Sequence, residues 1–225
     1  MRKLARAKSR RFGAPPSWRP VRRHPAGELR APARDASGPA GWKPAFRSMT
    51  LLIILFAACQ HRSDLPKLFP VPNASLVSEV GKPVQLDANK GYVTVYDFIF
   101  TNCAGSCPMM TRTMQLVTKK VDRKLPVRFV SISVDPARDT PAVLKEYARR
   151  VRNNDARWTF LTGDPQTVTR LSVDGFKLAA GTDTLLHSAK FAIADKNGTI
   201  REYYSGLEDD AVDHVVDSVR DLAKE

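Results

Sequence analysis

The chain of 225 residues is long enough for one domain with a full hydrophobic core plus a leader, and no internal period marks a repeat protein. Its formal charge of +13 would point to nucleic acid or an anionic membrane if it were spread over the fold, but residues 1–48 hold thirteen of the 36 basic groups against only Glu28 and Asp35. The rest of the chain is nearly neutral, so no nucleic-acid partner is expected.

In chain order, residues 1–48 come first, with seven of the sixteen prolines and few large aliphatic side chains. Such a segment cannot pack a core. It reads either as a disordered basic leader or as sequence upstream of a true start at Met49. Residues 49–59, MTLLIILFAAC, follow. A bilayer span needs about 20 apolar residues, so this shorter run fits an export signal better than a membrane anchor. Its end, Ala57-Ala58-Cys59, resembles the lipobox of bacterial lipoproteins, in which the cysteine is lipidated. Phe56 departs from that pattern. The expected location is therefore outside the cytoplasm, on the periplasmic face of a bacterial inner membrane, held there by lipid. The Arg-rich leader leaves a mitochondrial inner-membrane protein facing the intermembrane space as the alternative.

Residues 60–90 read as a linker with a short strand or hairpin around Val84 and Leu86, closed by the turn DANKG. The folded domain is expected over residues 91–225. GYVTVYDFIF, residues 91–100, is a continuous run of apolar, β-branched and aromatic residues of strand length, suited to a strand buried on both faces. Helical spacing follows from Pro108 through Met110, Met114 and Val117, and residues 127–134 make a second buried strand. Thr140 with Pro141 and Asp164 with Pro165 each give a cap and a first-turn proline for a further helix, with the strand WTFLTG between them. Two alternating runs flank Asn197-Gly198 as a hairpin, and residues 208–223 form an amphipathic helix with Val212, Val215, Val216, Val219 and Leu222 on one face. Crossover helices imply parallel early strands, and the late hairpin adds antiparallel ones. The order predicts an α/β, thioredoxin-like fold with a central mixed sheet, flanking helices and a C-terminal β-hairpin plus helix.

Cys103 and Cys107 then fall after the first central strand and at the start of the next helix, where N–H groups and the helix dipole favour a thiolate. The C-x-x-x-C spacing is compatible with a structural disulfide, a redox pair or two-thiolate ligation of a soft metal, Cu(I) or zinc. Four histidines are present. His24 and His61 lie in or beside the leader, and His214 reads as a solvated residue of the last helix. His187 opens the hairpin, at the place where a thioredoxin-like fold brings that loop against the cysteine loop. By geometry alone it is as readily a satisfied loop residue as a ligand. Met109 and Met110 could offer thioethers to Cu(I), although helical spacing favours a core role for Met110.

FIFTNCAGSCPMM, VSISVDPARDTPAVLKEYA, DGF at residues 174–176 and HSAKFAIADKNGTIREYYSG together resemble the SCO/SenC copper-chaperone family over about residues 65–222. The resemblance implies copper, as Cu(I) or Cu(II), held by Cys103, Cys107 and His187, and a partner in the copper-site subunit of cytochrome c oxidase. It also implies that Asp135, in SVDP, is an acidic residue near the site. An ordinary strand-end turn would explain Asp135 equally well. Ala104 and Gly105 stand where family members usually carry proline after the first cysteine. Asp139 and Thr140 read as cap residues. Two functions remain open: a copper-binding chaperone, or a thiol-disulfide oxidoreductase using Cys103 and Cys107 as its catalytic pair, with a disulfide between them when oxidised. A peroxidase of related fold lacks its Thr-x-x-Cys and arginine here.

Overall fold

The computed structural model describes residues 63–178 and 189–225. The leader, the segment 49–59 with Cys59, and His187 lie outside the described residues.

The fully buried strand foreseen at residues 91–100 is β4, Val93–Ile99, and every one of its seven residues is buried. Before it lie β1 (Phe69–Pro70), β2 (Ser75–Ser78) and β3 (Pro83–Gln85). After it come α1 (Cys107–Lys120), β5 (Val127–Ser133), α2 (Pro141–Val151), β6 (Trp158–Thr162), α3 (Pro165–Arg170), β7 (Lys190–Ala194), β8 (Thr199–Ser205) and α4 (Ala211–Lys224). The strands form one sheet in the order β1-β8-β7-β4-β5-β6-β2-β3. β4, β5 and β6 run parallel through the crossover helices α1 and α2, whereas β7 joins β4 antiparallel. This is the predicted mixed sheet.

The sequence cues act where they stand. Thr140 accepts from the Val143 amide at 3.4 Å, and Asp164 accepts from the Thr167 amide at 2.8 Å, so both helices start on a capped proline turn. Met110, Met114 and Val117 are buried along α1, as are Val215, Val216, Val219 and Leu222 along α4. At about 1.5–3 kcal/mol per large apolar side chain, these rows fasten both helices to one face of the sheet. The period of two in β4 sends Val93, Val95 and Ile99 into that helical layer, and Tyr96 and Phe98 into the opposite one with Phe176, Leu171 and Leu76.

Three details were not foreseen. Leu86 belongs to a 3-10 turn rather than to the strand that Val84 occupies. β1 pairs with β8, and β2 pairs with β6. Asp139 is not a cap: it is buried, and its carboxylate accepts from the Thr101 amide at 3.0 Å and from the hydroxyls of Thr101 and Ser133, both at 2.5 Å. It therefore ties the chain just ahead of Cys103 to the end of β5.

The β7–β8 turn is held by the Asp195 carboxylate, which accepts from the amides of Asn197 and Thr199 at 2.9 Å each, while Gly198 takes a φ of 77°. Asp195 also pairs with Arg201, which is 2% exposed. The same guanidinium reaches Glu225, the Ser63 hydroxyl and the carbonyls of Leu65 and Pro66. One buried cation thus joins the first described residues, the hairpin and the end of α4.

Candidate functional site

Beyond β4 the chain turns through residues 100–106 and enters α1 at Cys107, with Pro108 in its first turn. Cys103 is partly exposed and Cys107 is 5% exposed, and both are free thiols. Proximity to the helix N-terminus does not act on them alike. Although burial works against it, the Cys103 thiol is held below its usual value by hydrogen bonds from the Cys107 side chain and amide and from the Gly105 amide, 3.4 Å from its sulfur. Cys107 is pushed up to about 12, first by burial, then by its thiol proton being held by Cys103 and by the nearby Cys103 and Asp97 charges. The expectation of a lowered pKa holds for one cysteine and fails for the other, because the first residue of α1 faces inward.

Asp97 is the residue that sequence reasoning passed over. It occupies the helical-layer side of β4, between Val95 and Ile99, and is 0% exposed. Neither carboxylate oxygen has a hydrogen-bond partner among the described residues. Burial raises its pKa to about 7, opposed by the Ser131 hydroxyl across the ladder, which comes near without completing a hydrogen bond. That hydroxyl already accepts from Trp158 Nε1 at 2.8 Å. A buried carboxyl without partners costs several kcal/mol, so an Asp inside an otherwise apolar strand was the available signal.

A groove of about 400 Å³ opens from the thiols between α1 and α2. Phe100, Thr101, Cys103 and Cys107 form one end, with Tyr147, Arg150, Arg112 and Gln115 along the walls. Tyr147 is fixed by a 2.8 Å hydrogen bond with Thr111 and an edge contact on Phe160. Gln115 donates to the Val151 carbonyl at 2.8 Å and bridges the two helices.

The other foreseen residues are distributed as follows. Asp135 lies two residues past the end of β5 and starts a turn: its carbonyl accepts from the amides of Arg138 and Asp139, and its carboxylate pairs with Arg138 at 3.2 Å. Met110 is core, packed against Gly206, where an added Cβ would collide with its sulfur, and Met109 is exposed. His214 is not simply solvated; it stacks on Tyr204 at 3.7 Å and meets Glu202 at 2.6 Å through Nε2. Ala189, two residues after His187, packs against the same core cluster as Cys103 and Cys107, and its carbonyl accepts from the Gly206 amide at 2.8 Å. Among the described residues no group of three or more His, Cys, Asp or Glu side chains is arranged to hold a metal ion, and no helix is long and apolar enough to cross a membrane.

A parallel strand ending in a loop with one accessible thiol, followed by a helix opening on a buried one, defines a thioredoxin-like protein with a two-cysteine site. The chain belongs to the SCO1/SenC family, whose model matches residues 71–224. It is similar to the crystal structure of a SCO1/SenC family lipoprotein from Bacillus anthracis, at 31% identity and a TM-score of 0.63, covering 69% of this chain and 95% of that one. BsSco, a member of the Sco family of cytochrome c oxidase assembly proteins in which a disulfide switch was identified, matches at 31% identity and a TM-score of 0.64, covering 73% and 98%. Yeast Sco1 with copper bound matches at 25% identity and a TM-score of 0.56, covering 69% and 90%.

Proposed function

We propose that this protein is an exported copper chaperone that holds one copper ion on Cys103, Cys107 and His187 and delivers it to the copper-site subunit of cytochrome c oxidase. The observation that carries the reading is the pair of free thiols at the start of α1 in a chain of this family, a relative of which is known with copper bound. Soft thiolates suit Cu(I), and an added imidazole suits Cu(II). The hairpin strand after His187 begins at the thiol edge of the sheet, since β7 runs antiparallel to β4 with Ala192 opposite Tyr96. Asp135, in the turn just past the neighbouring strand β5, is the acidic residue assigned to tuning the site or docking the acceptor. Attachment to the membrane through lipid on Cys59 accords with the lipobox-like segment and with a lipoprotein among the relatives.

The test is copper stoichiometry and affinity of the reduced full chain beside His187→Ala and Cys103→Ala. One copper per chain in the wild type, lost in both variants, is the expected result. Tight binding that survives both substitutions would remove this ligand set.

The unequal thiols favour a second activity at the same place. The Cys103 thiolate attacks one sulfur of a partner disulfide, forms a mixed disulfide and releases a partner thiolate. The Cys107 thiol then gives up its proton and attacks the Cys103 sulfur, closing an intramolecular disulfide and releasing the second partner thiolate. Two electrons pass to the partner, whose cysteines are left reduced and able to take copper. Exchange with a disulfide peptide that is equally fast in His187→Ala would support this activity, since it needs no imidazole.

A further inference from the structure

We infer that the groove between α1 and α2 is the docking site for an acidic segment of the partner protein, laid along Arg112 and Arg150 with the partner's cysteines at the Cys103 end. The inference rests on the reading of Cys103 and Cys107 as the pair that meets a partner's cysteines.

The groove begins at the two thiols and has a volume of about 400 Å³, room for several side chains of an extended peptide. Both arginines on its walls are exposed. Among the described residues Arg112 makes no hydrogen bond or ion pair, and Arg150 makes none either: it has a distant ring contact, 5.8 Å from the centre of Tyr147, and a longer-range electrostatic pull on Glu146. Elsewhere on α2 and α4 the exposed arginines are paired: Arg149 with Glu146, and Arg220 with Asp217. Glu146, the acidic residue nearest Arg150 on α2, is turned to Arg149, which binds both of its oxygens at 2.8 and 3.0 Å. The remaining acidic groups toward the groove are the thiols, the Tyr147 phenol, the buried Asp97, and the buried Asp139 carboxylate, which is taken up by Thr101 and Ser133. Two guanidinium groups without an ion pair among the described residues, on neighbouring helices beside a reactive centre, attract carboxylates and fix the register of a bound strand. Positive charge at the mouth also raises the encounter rate of an acidic partner.

The groove itself is well ordered for binding. Its floor is bridged by Gln115 and Val151, and Tyr147 is pinned on both its hydroxyl and its ring. A partner therefore meets a preformed surface, which lowers the ordering cost of association.

The experiment uses the full 225-residue chain, in wild-type form, as Arg112→Glu/Arg150→Glu, and as Arg123→Glu/Lys124→Glu. The last variant carries the same net charge, so it controls for the basic leader. Fluorescence anisotropy measures binding of three labelled peptides flanked by glutamate, serine or lysine, with serine in place of their cysteines. The expected result is that the groove variant binds the glutamate peptide about tenfold more weakly than the control variant, with the difference collapsing at 0.5 M salt. Equal affinities in the two variants, or no preference of the wild type for glutamate over lysine, would overturn the inference. Copper loading and exchange with the cystine form of the serine peptide are measured on the same samples. A charge-selective groove in a chain that neither loads copper nor exchanges disulfides keeps the docking site and removes the reading of the thiol pair.

Discussion

Replacing Asp97 by asparagine removes a buried ionisable group while keeping nearly the same shape, so the pH dependence of stability isolates its charge. Its pKa is raised from 3.8 to about 7 in the fold. Between those values the native chain keeps a proton that the unfolded chain has released, and stability falls by about 1.4 kcal/mol for each pH unit of rise. Below 3.8 both states are protonated and the penalty is absent. Above about 7 the full cost, about 4 kcal/mol, is present. The asparagine variant has no such slope, and its unpaired amide costs about 1–3 kcal/mol at every pH. Urea unfolding of both reduced proteins at pH 4.5, 6 and 8 should show the variant gaining about 3 kcal/mol on wild type across the series, or roughly 1.5 M in midpoint at an ordinary urea slope. Parallel stability curves would refute the assignment of Asp97 as a buried carboxyl that ionises only at a cost.

Asp139→Ala should cost about 3 kcal/mol, since it leaves Thr101 and Ser133 without their shared acceptor, and should speed amide exchange in residues 101–106; a change under 1 kcal/mol by urea unfolding would contradict the anchoring role. Gly206→Ala forces a methyl against Met110 and Phe191 and should destabilise by about 1–3 kcal/mol, with partial recovery in the Met110→Ala background; two additive losses would show that the clash is not the cause. Arg201→Ala strands the buried Asp195 and should cost about 3–5 kcal/mol, whereas Arg201→Ala with Asp195→Asn should recover part of it; no recovery would mean that the unpaired charge is not what the single variant suffers.

The elements that the sequence announced are those in which local chemistry and burial agree. Thr140 and Asp164 stand as caps before prolines, the fully buried β4 is central, and the Met110, Met114, Val117 row faces the core. What escaped was set by long-range pairing. β1 is two residues long and holds to β8 across more than a hundred residues, which no local pattern encodes. Asp139 looked like a cap because it precedes Thr140, and only the return of the chain beside Thr101 gives its carboxylate another use. The cysteine pair was visible from spacing, but the asymmetry between the thiols was not, because it depends on which side of the first turn of α1 faces Asp97 and the core. Arg112 and Arg150 read as ordinary surface charges until α1 and α2 are laid side by side.

The Arg201 cluster gives the domain two poles. Ser63 is clamped beside the β7–β8 turn, at the end of the sheet where β4 begins, and the thiols lie past the end where β4 finishes. Seven residues of strand separate the poles by roughly 20 Å. Under the proposed attachment through Cys59, at most four residues, or about 14 Å of chain, separate the anchor from Ser63, so the tether would enter the domain at the pole opposite the thiols. The proposed acceptor would then meet the thiols at the pole away from the tether, and lengthening the stretch before Ser63 would change the reach of the pair without altering the site itself.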